Sequence, residues 1–218
     1  MKWSGKEQQY NIYYRLLFEG KYLNGKKWNG QGNNFKGNLE FEIKDGKGKI
    51  KEYNYNGDLI FKGKYLNGIR NGKGKEYHYY NDNLIFEGEF LNGIRNGKGK
   101  EYDNDIVRFE GEYLNGKRNG KGKEYNELIF EGEYLNGKKW NGDLKEYDKN
   151  GELIFELRYS NGEYNGKGKE YNNSKLIFEG EYLNRKKWNG ELKEYDKNGE
   201  LIFELLYLNG EYSGKGKE

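Results

Sequence analysis

Cations cluster at a recurring position in this chain, and that clustering is the first feature that could do chemistry. They read Lys26-Lys27, Ile69-Arg70, Ile94-Arg95, Lys117-Arg118, Lys138-Lys139 and Arg185-Lys186-Lys187, and three clusters run directly into Trp28, Trp140 and Trp188. A row of such cations suits an anionic lipid surface, an acidic protein surface or lateral self-assembly. The competing reading is solubility and protection of a sheet edge against unwanted pairing. Tryptophan beside paired lysines has the composition of an interfacial anchor. Packing against a neighbouring segment is the alternative. Between the clusters lies an acidic set: Asp58, Asp82, Asp103, Asp105, Glu127, Asp148, Glu152, Asp196 and Glu200.

Catalytic chemistry finds no comparable foothold. The one histidine is His78, and the serines are Ser4, Ser160, Ser174 and Ser213. A nucleophilic triad needs hydroxyl, imidazole and acid to converge, which units strung along a repeat do not achieve. Without cysteine or a second histidine there is no zinc set. Gly-Lys-Gly-Lys recurs, but a phosphate loop needs G-x4-G-K-[ST] between strand and helix. Gly68 to Gly74 has the wrong spacing and no hydroxyl after its lysine. Asp103-Asn104-Asp105 supplies too few oxygens for Ca²⁺ and reads as a loop. A glycosidase pair needs two carboxylates about 5–10 Å apart in a cleft, and a repeated ladder singles out none. The expectation is a non-enzyme with no cofactor and no metal.

What positions the cations is a repeat. Phe18, Phe41, Phe61, Phe86, Phe109, Phe130, Phe155, Phe178 and Phe203 anchor nine units, spaced 23, 20, 25, 23, 21, 25, 23 and 25 residues apart. Residues 2–10 read as half of a further unit, and the last unit stops at Glu218, one residue short of its tyrosine. Residues 1–218 are therefore expected to form a single array, cut from a longer one. Residues 128–171 and 176–218 match at an offset of 48, the mark of a duplicated two-repeat unit.

Within a unit, Phe109-Glu110-Gly111-Glu112-Tyr113 puts rings and glycine on one strand face and carboxylates on the other. Asn115-Gly116 is a turn signal, because both residues accept positive φ. Gly120-Lys121-Gly122-Lys123 reads as the return strand. Glycine at this density disfavours helix by about 1 kcal/mol each. Each unit is thus a β-hairpin, and absent prolines are compatible with uninterrupted ladders. Glycine opposite glycine leaves a slot for a ring from the adjacent hairpin. Glu110 and Glu112 would pair across the hairpin with Lys121 and Lys123. Leu144, Leu157, Leu192 and Leu205 stand at glycine positions of neighbouring units, which implies a shared contact. The expected fold is all-β, an elongated twisted single-layer ribbon of about nine tandem antiparallel hairpins. The cation clusters would then line one edge and the acidic connections the other.

Composition agrees with a folded chain of unusual core. Of 218 residues, 34% are charged and 33% hydrophobic, yet 17% are aromatic, which supplies buriable area that disordered chains lack. Net charge is only +3, so nucleic acid is not an expected partner. No apolar run reaches the roughly 20 residues of a membrane span. Met1 to Lys6 lacks the apolar core of a signal peptide. The expectation is an intracellular, cytoplasmic protein, free or peripheral to membrane or cytoskeleton.

The pattern resembles the MORN (membrane occupation and recognition nexus) repeat, approximately Y-E-G-E-W-x-N-G-x-x-x-G-x-G-x-x-x-Y. Phe109 to Tyr113, Asn115-Gly116 and Gly120-Lys121-Gly122 carry that resemblance, with Tyr in the usual Trp position and Asn119 where His is common. Residues 150–171 look more like the YwqK-type variant, in which Leu replaces the first glycine, as Leu157 and Leu205 do. The resemblance implies a MORN-repeat solenoid that binds and scaffolds protein partners, often through self-association into homo-oligomers. It also implies, for some members, contact with phosphoinositide membranes, and for the variant group an antitoxin-like role.

Overall fold

Asn-Gly turns organise the chain at the shortest range. Asn24 (φ 51) and Gly25 (φ 75) both take left-handed backbone and join the directly paired Leu23 and Lys26. That is a two-residue type I′ connection, whose twist matches that of the flanking strands. The same turn recurs at Asn67-Gly68, Asn92-Gly93, Asn115-Gly116, Asn136-Gly137, Asn161-Gly162 and Asn209-Gly210. At Asn184-Arg185 the second position is arginine, held at φ 67.

The structure is a computed structural model that describes residues 4–126 and 128–213. Residues 2 and 3 of the expected half-unit, Glu127 and the final Gly-Lys-Gly-Lys-Glu at 214–218 lie outside the described residues. The described residues are all-β, with no helix. They fall into two compact units, 1–117 and 118–218.

In the first unit β1 (Gly5–Tyr10), β2 (Leu16–Leu23), β3 (Lys26–Asn33) and β4 (Leu39–Ile43) form one antiparallel sheet in chain order. A second sheet contains β5 (Gly48–Tyr53), β6 (Leu59–Leu66), β7 (Ile69–Tyr77), β8 (Leu84–Leu91), β9 (Ile94–Asp103) and β10 (Ile106–Leu114), again in order. The ladder expected to be uninterrupted therefore breaks between β4 and β5, where only the Lys44–Lys47 bridge joins the strands. Ile43 and Ile50 explain the break. They occupy positions that are glycine in other copies, and both are buried with Phe18 and Phe41. Elsewhere paired glycines approach so closely that a Cβ on Gly20 would lie 2.7 Å from Gly30 Cα. Two β-branched side chains do not fit that approach, so the strands part.

The second unit has β11 (Lys117–Glu124), β12 (Leu128–Leu135), β13 (Lys138–Tyr147), β14 (Leu153–Tyr159), β15 (Gly166–Asn172), β16 (Lys175–Leu183), β17 (Lys186–Tyr195), β18 (Leu201–Leu208) and β19 (Glu211–Ser213), paired in chain order. Leu144 stands directly opposite Leu157, and Leu192 opposite Leu205, so the aliphatic replacements meet as expected.

One sheet face is aromatic. Phe18, Phe61, Phe86, Phe109, Phe130 and Phe178 are fully buried. In several hairpins the second ring bridges two phenylalanines edge-on: Phe90 lies 5.3 Å from Phe61 and 5.5 Å from Phe86. Likewise Tyr113 lies 5.1 Å from Phe86 and 5.7 Å from Phe109. Such edge-to-face pairs add about 0.5–1.5 kcal/mol each beyond area burial. The glycine slot is occupied differently from expectation. A Cβ on Gly74 would meet Phe61 of the same hairpin at 2.6 Å and Phe90 of the next at 3.2 Å. The unit's own phenylalanine lies over its glycines, and the adjacent ring closes the slot from the side.

The other face carries charge, and its ion pairs join successive repeats. Lys75–Glu87, Lys100–Glu110 and Lys123–Glu131 each pair at 3.0 Å, and Lys169–Glu179 at 3.2 Å. Glu110 thus faces Lys100 of the preceding return strand, and Lys123 faces Glu131 of the following strand. The reason is that every strand has two neighbours, and the hairpin partner is only one of them.

Candidate interaction surfaces

The cation clusters follow directly from the turns, so each cluster opens a return strand. Their second members turn inward onto the aromatic face. Arg70 sits 4.1 Å over the Phe61 ring and donates to Glu52 and Glu76 at 2.8 Å. Arg95 sits 4.1 Å over Phe86 and donates to Glu76 at 2.7 Å. Arg118 lies 3.7 Å from Glu124, and Lys139 lies 3.1 Å from the same carboxylate and 5.2 Å over Phe130. Lys187 pairs with Glu170 at 2.8 Å and covers Phe178 at 4.7 Å, while Lys27 covers Phe18 at 4.5 Å.

The receiving carboxylate is the glutamate before the last tyrosine of a return strand: the preceding one for Arg70, Arg95, Lys139 and Lys187, and the cation's own for Arg118 and, in addition, Arg70. It also accepts the hydroxyl of the following unit's tyrosine: Tyr65 to Glu52, Tyr113 to Glu101 at 2.7 Å, Tyr134 to Glu124 at 3.1 Å and Tyr182 to Glu170 at 2.5 Å. Burial alone would push the Glu52 carboxyl up. Hydrogen bonds from Arg70 and Tyr65, with the charges of Arg70 and Lys27, hold it below its ordinary value instead. Burial pulls the Lys27 ammonium down, against the pull of Glu52 and Glu7. These inward cations act as structural counter-ions and ring covers.

The first members behave differently. Lys117, Lys138, Lys186 and Arg185 are exposed, and Lys26 is half-buried. Trp28, Trp140 and Trp188 are half-buried against the next turn. The Trp140 indole would touch a Cβ on Gly162 at 3.3 Å, and its carbonyl accepts the Gly162 N–H at 2.9 Å. Gly210 donates to the Trp188 carbonyl and Gly46 to that of Trp28, both at 2.8 Å. In the arginine units Gly93 donates to Arg70 and Gly116 to Arg95, both at 2.9 Å. Beside these, Asn115 N–H donates to Asn96 Oδ1 at 3.2 Å, Asn161 to Asn141 and Asn209 to Asn189 at 3.0 Å. Each tip is therefore tied to the tip before it within its unit. Sequence reading missed this asparagine, although it precedes glycine in nearly every R-N-G and W-N-G.

On the opposite edge, the first unit's connections carry an unexpected row of rings. Asn11 Oδ1 accepts the N–H groups of Tyr13 at 3.0 Å and Arg15 at 2.9 Å. Asn54 Oδ1 does the same for Asn56 and Asp58 at 2.9 Å. Both asparagines are buried. Their turns carry Ile12, Tyr13, Tyr14 and Tyr55, and neighbouring connections carry Phe35, Tyr79 and Tyr80, all exposed. The loops bond to one another: Ile12 N–H to Tyr55 carbonyl at 3.0 Å, Arg15 Nη1 to Phe35 carbonyl and Asn54 Nδ2 to Tyr79 carbonyl at 2.6 Å. The second unit's loops at 148–152 and 196–200 keep the same local turn, built on Asp148 and Asp196, with no aromatic residue. Backbone N–H donors, first that of Glu152, hold Asp148 below the usual carboxylate range.

His78 is exposed on the first unit's loop edge, its Nδ1 facing the Tyr80 N–H at 3.4 Å. Among the described residues no three His, Asp or Glu side chains are grouped to hold a metal. A cavity of about 450 Å³ in the first unit is lined by Lys27, Glu52, Tyr22 and Tyr65, members of the network above.

The sequence model of the MORN repeat matches residues 61–79, 86–105, 109–126 and 158–174. Four segments of the chain thus match the MORN repeat, a class of unit that generally serves protein or membrane interaction. The last of them overlaps the Leu157-bearing unit. No curated protein matches the chain.

Proposed function

We propose that the chain is a non-enzymatic scaffold, one array of MORN-type hairpins, that docks a protein partner on the loop edge of its first unit. The observation that carries this reading is the exposed Tyr13, Tyr14, Phe35, Tyr55, Tyr79 and Tyr80, on loops cross-linked by hydrogen bonds from Ile12, Arg15 and Asn54. Tyrosine among asparagine and glycine is the composition of protein-binding loops. It offers large amphipathic contact area at little loss of side-chain freedom. Soluble surfaces seldom expose rings contiguously without a partner to cover them. Loops already fixed by hydrogen bonds also lower the ordering cost of binding.

The test is capture of a partner by the native chain, its identification, and titration of the purified pair. Replacing Tyr13, Tyr55 and Tyr80 together with serine should weaken that binding at least about thirtyfold, the scale of a single hot-spot residue. Undiminished binding by a variant of unchanged melting temperature sinks the loop-edge reading. A second copy of the chain is one candidate partner, read from concentration-dependent mass in the same experiment. The outward Lys138, Arg185 and Lys186 support a second reading, peripheral binding to anionic membrane. Failure to sediment with anionic vesicles at low salt removes it.

A further inference from the structure

The charged face of the first unit departs most fully from the pattern of β8 and β10 on one strand, although β2 also carries a single lysine, Lys21, opposite Lys6. Strand β6 reads Phe61-Lys62-Gly63-Lys64-Tyr65 where β8 and β10 read Phe-Glu-Gly-Glu followed by a ring. Lys62 and Lys64 alternate with buried Phe61, so they point to the face away from the rings. On β5 Lys49 and Lys51 flank buried Ile50, and on β7 Lys73 and Lys75 flank buried Gly74.

The register then sets like charge against like charge. Lys49 stands opposite Lys64, Lys51 opposite Lys62, and Lys62 opposite Lys75. Directly opposed like charges destabilise a sheet. Only the outer members of the strip find carboxylates: Lys51 pairs with Glu40 at 2.6 Å and Lys75 with Glu87 at 3.0 Å. Among the described residues no ion pair is formed by Lys49, Lys62, Lys64 or Lys73, and all four are exposed. A local rule broken at a definite site, at a cost in stability, is what a binding surface looks like.

We propose that this lysine strip across β5, β6 and β7 binds an extended acidic polypeptide segment. Lysines two residues apart on a strand repeat at about 6.8 Å, the spacing of alternate side chains in any extended chain laid alongside. Three strands make a strip only about 10 Å across. It is fenced by carboxylates, Glu40 and Glu42 on β4 and Glu87 and Glu89 on β8. A single acidic chain fits between those fences, whereas a broad anionic sheet of headgroups laid over the face meets them. The strip is lysine throughout, point charges without the bidentate fork that selects phosphate. It lies on the sheet face, not on the loop edge, so it stands or falls independently of the proposed docking loops.

The probe is a labelled decaglutamate peptide, followed by fluorescence anisotropy against the full chain at low and high salt. Lys62→Glu with Lys64→Glu restores the sequence of the other copies, so this double variant is expected to fold and to melt no lower than the parent. The parent should bind at low salt, lose affinity as salt is added, and bind at least about tenfold more tightly than the variant. The control pair Lys149→Glu with Lys197→Glu makes the same change in net charge on exposed loops of the second unit and should leave binding unchanged. No binding by the parent at low salt, or equal loss in both double variants, overturns the proposal. So does loss of phosphatidylserine-vesicle binding in the strip variant while its peptide binding persists.

Discussion

Gly74 shows how little room the aromatic face leaves at a single position. A methyl group there would lie 2.6 Å from Phe61 Cζ and 3.2 Å from Phe90 Cε2, so two rings of consecutive hairpins would have to move. Its backbone is ordinary strand, so the effect of a side chain is packing alone. Gly74→Ala should cost about 1–3 kcal/mol by overpacking, read as a lower denaturation midpoint at unchanged slope. A neutral result would show that the rings are loosely held. The phenylalanine and glycine alternation was plain in the sequence. The fate of the cation was not. Arg70 and Lys117 belong to the same kind of cluster, yet one is held between Phe61 and two glutamates and the other is exposed.

The hairpin is the element that the residues write most clearly. Asn-Gly supplies both left-handed residues of a type I′ turn, so hairpin boundaries could be read directly from the chain. Arg185 is the exception among the hairpin tips, a side chain held at φ 67 where the other tips have glycine; between hairpins Asp105 and Ser174 take the same backbone. Left-handed backbone costs a residue with a Cβ about 1–2 kcal/mol, partly offset by the smaller entropy loss on folding relative to glycine. Arg185→Gly should therefore raise stability by about 0.5–1 kcal/mol, measured as a higher midpoint in chemical denaturation. A loss instead would mean that Arg185 over the Tyr164 ring at 5.9 Å contributes more than the turn strain. Interruption between β4 and β5 was legible in principle, since Ile43 and Ile50 stand where other copies have glycine. It was missed because one bulky residue reads as a tolerated swap, as Leu144 opposite Leu157 is.

At the scale of the molecule, one Tyr–Glu contact recurs in both units, and it links stability to alkaline pH. Burial first, with neighbouring Glu7, pushes the Tyr22 hydroxyl up to about 12. Burial, with Glu146, pushes Tyr164 to about 12. Tyr65, Tyr134 and Tyr182 rise further, by burial and then by Glu52, Glu124 and Glu170. A raised folded pKa means the native state holds the proton more tightly than the unfolded chain, where tyrosine titrates near pH ~10. This contribution is fully present below about pH 10 and is lost as pH rises through the folded values. Tyrosinate absorbance should therefore appear in step with loss of β-sheet circular dichroism above pH ~10. Ionisation of these tyrosines at ordinary pH with the fold intact would contradict the geometry.

The sequence by itself determined the period, the hairpins and the two-faced strands, because each depends on residues a few positions apart. Turn dihedrals and side-chain alternation are local properties, and repetition multiplies them. Only the tertiary structure decided which cations turn inward, which asparagines tie one tip to the next, and that the first unit's loops gather their rings on one edge. Those outcomes depend on neighbours a full repeat or more away in the chain. Desolvation by those neighbours, with the carboxylate or ring they present, sets where a long flexible side chain comes to rest.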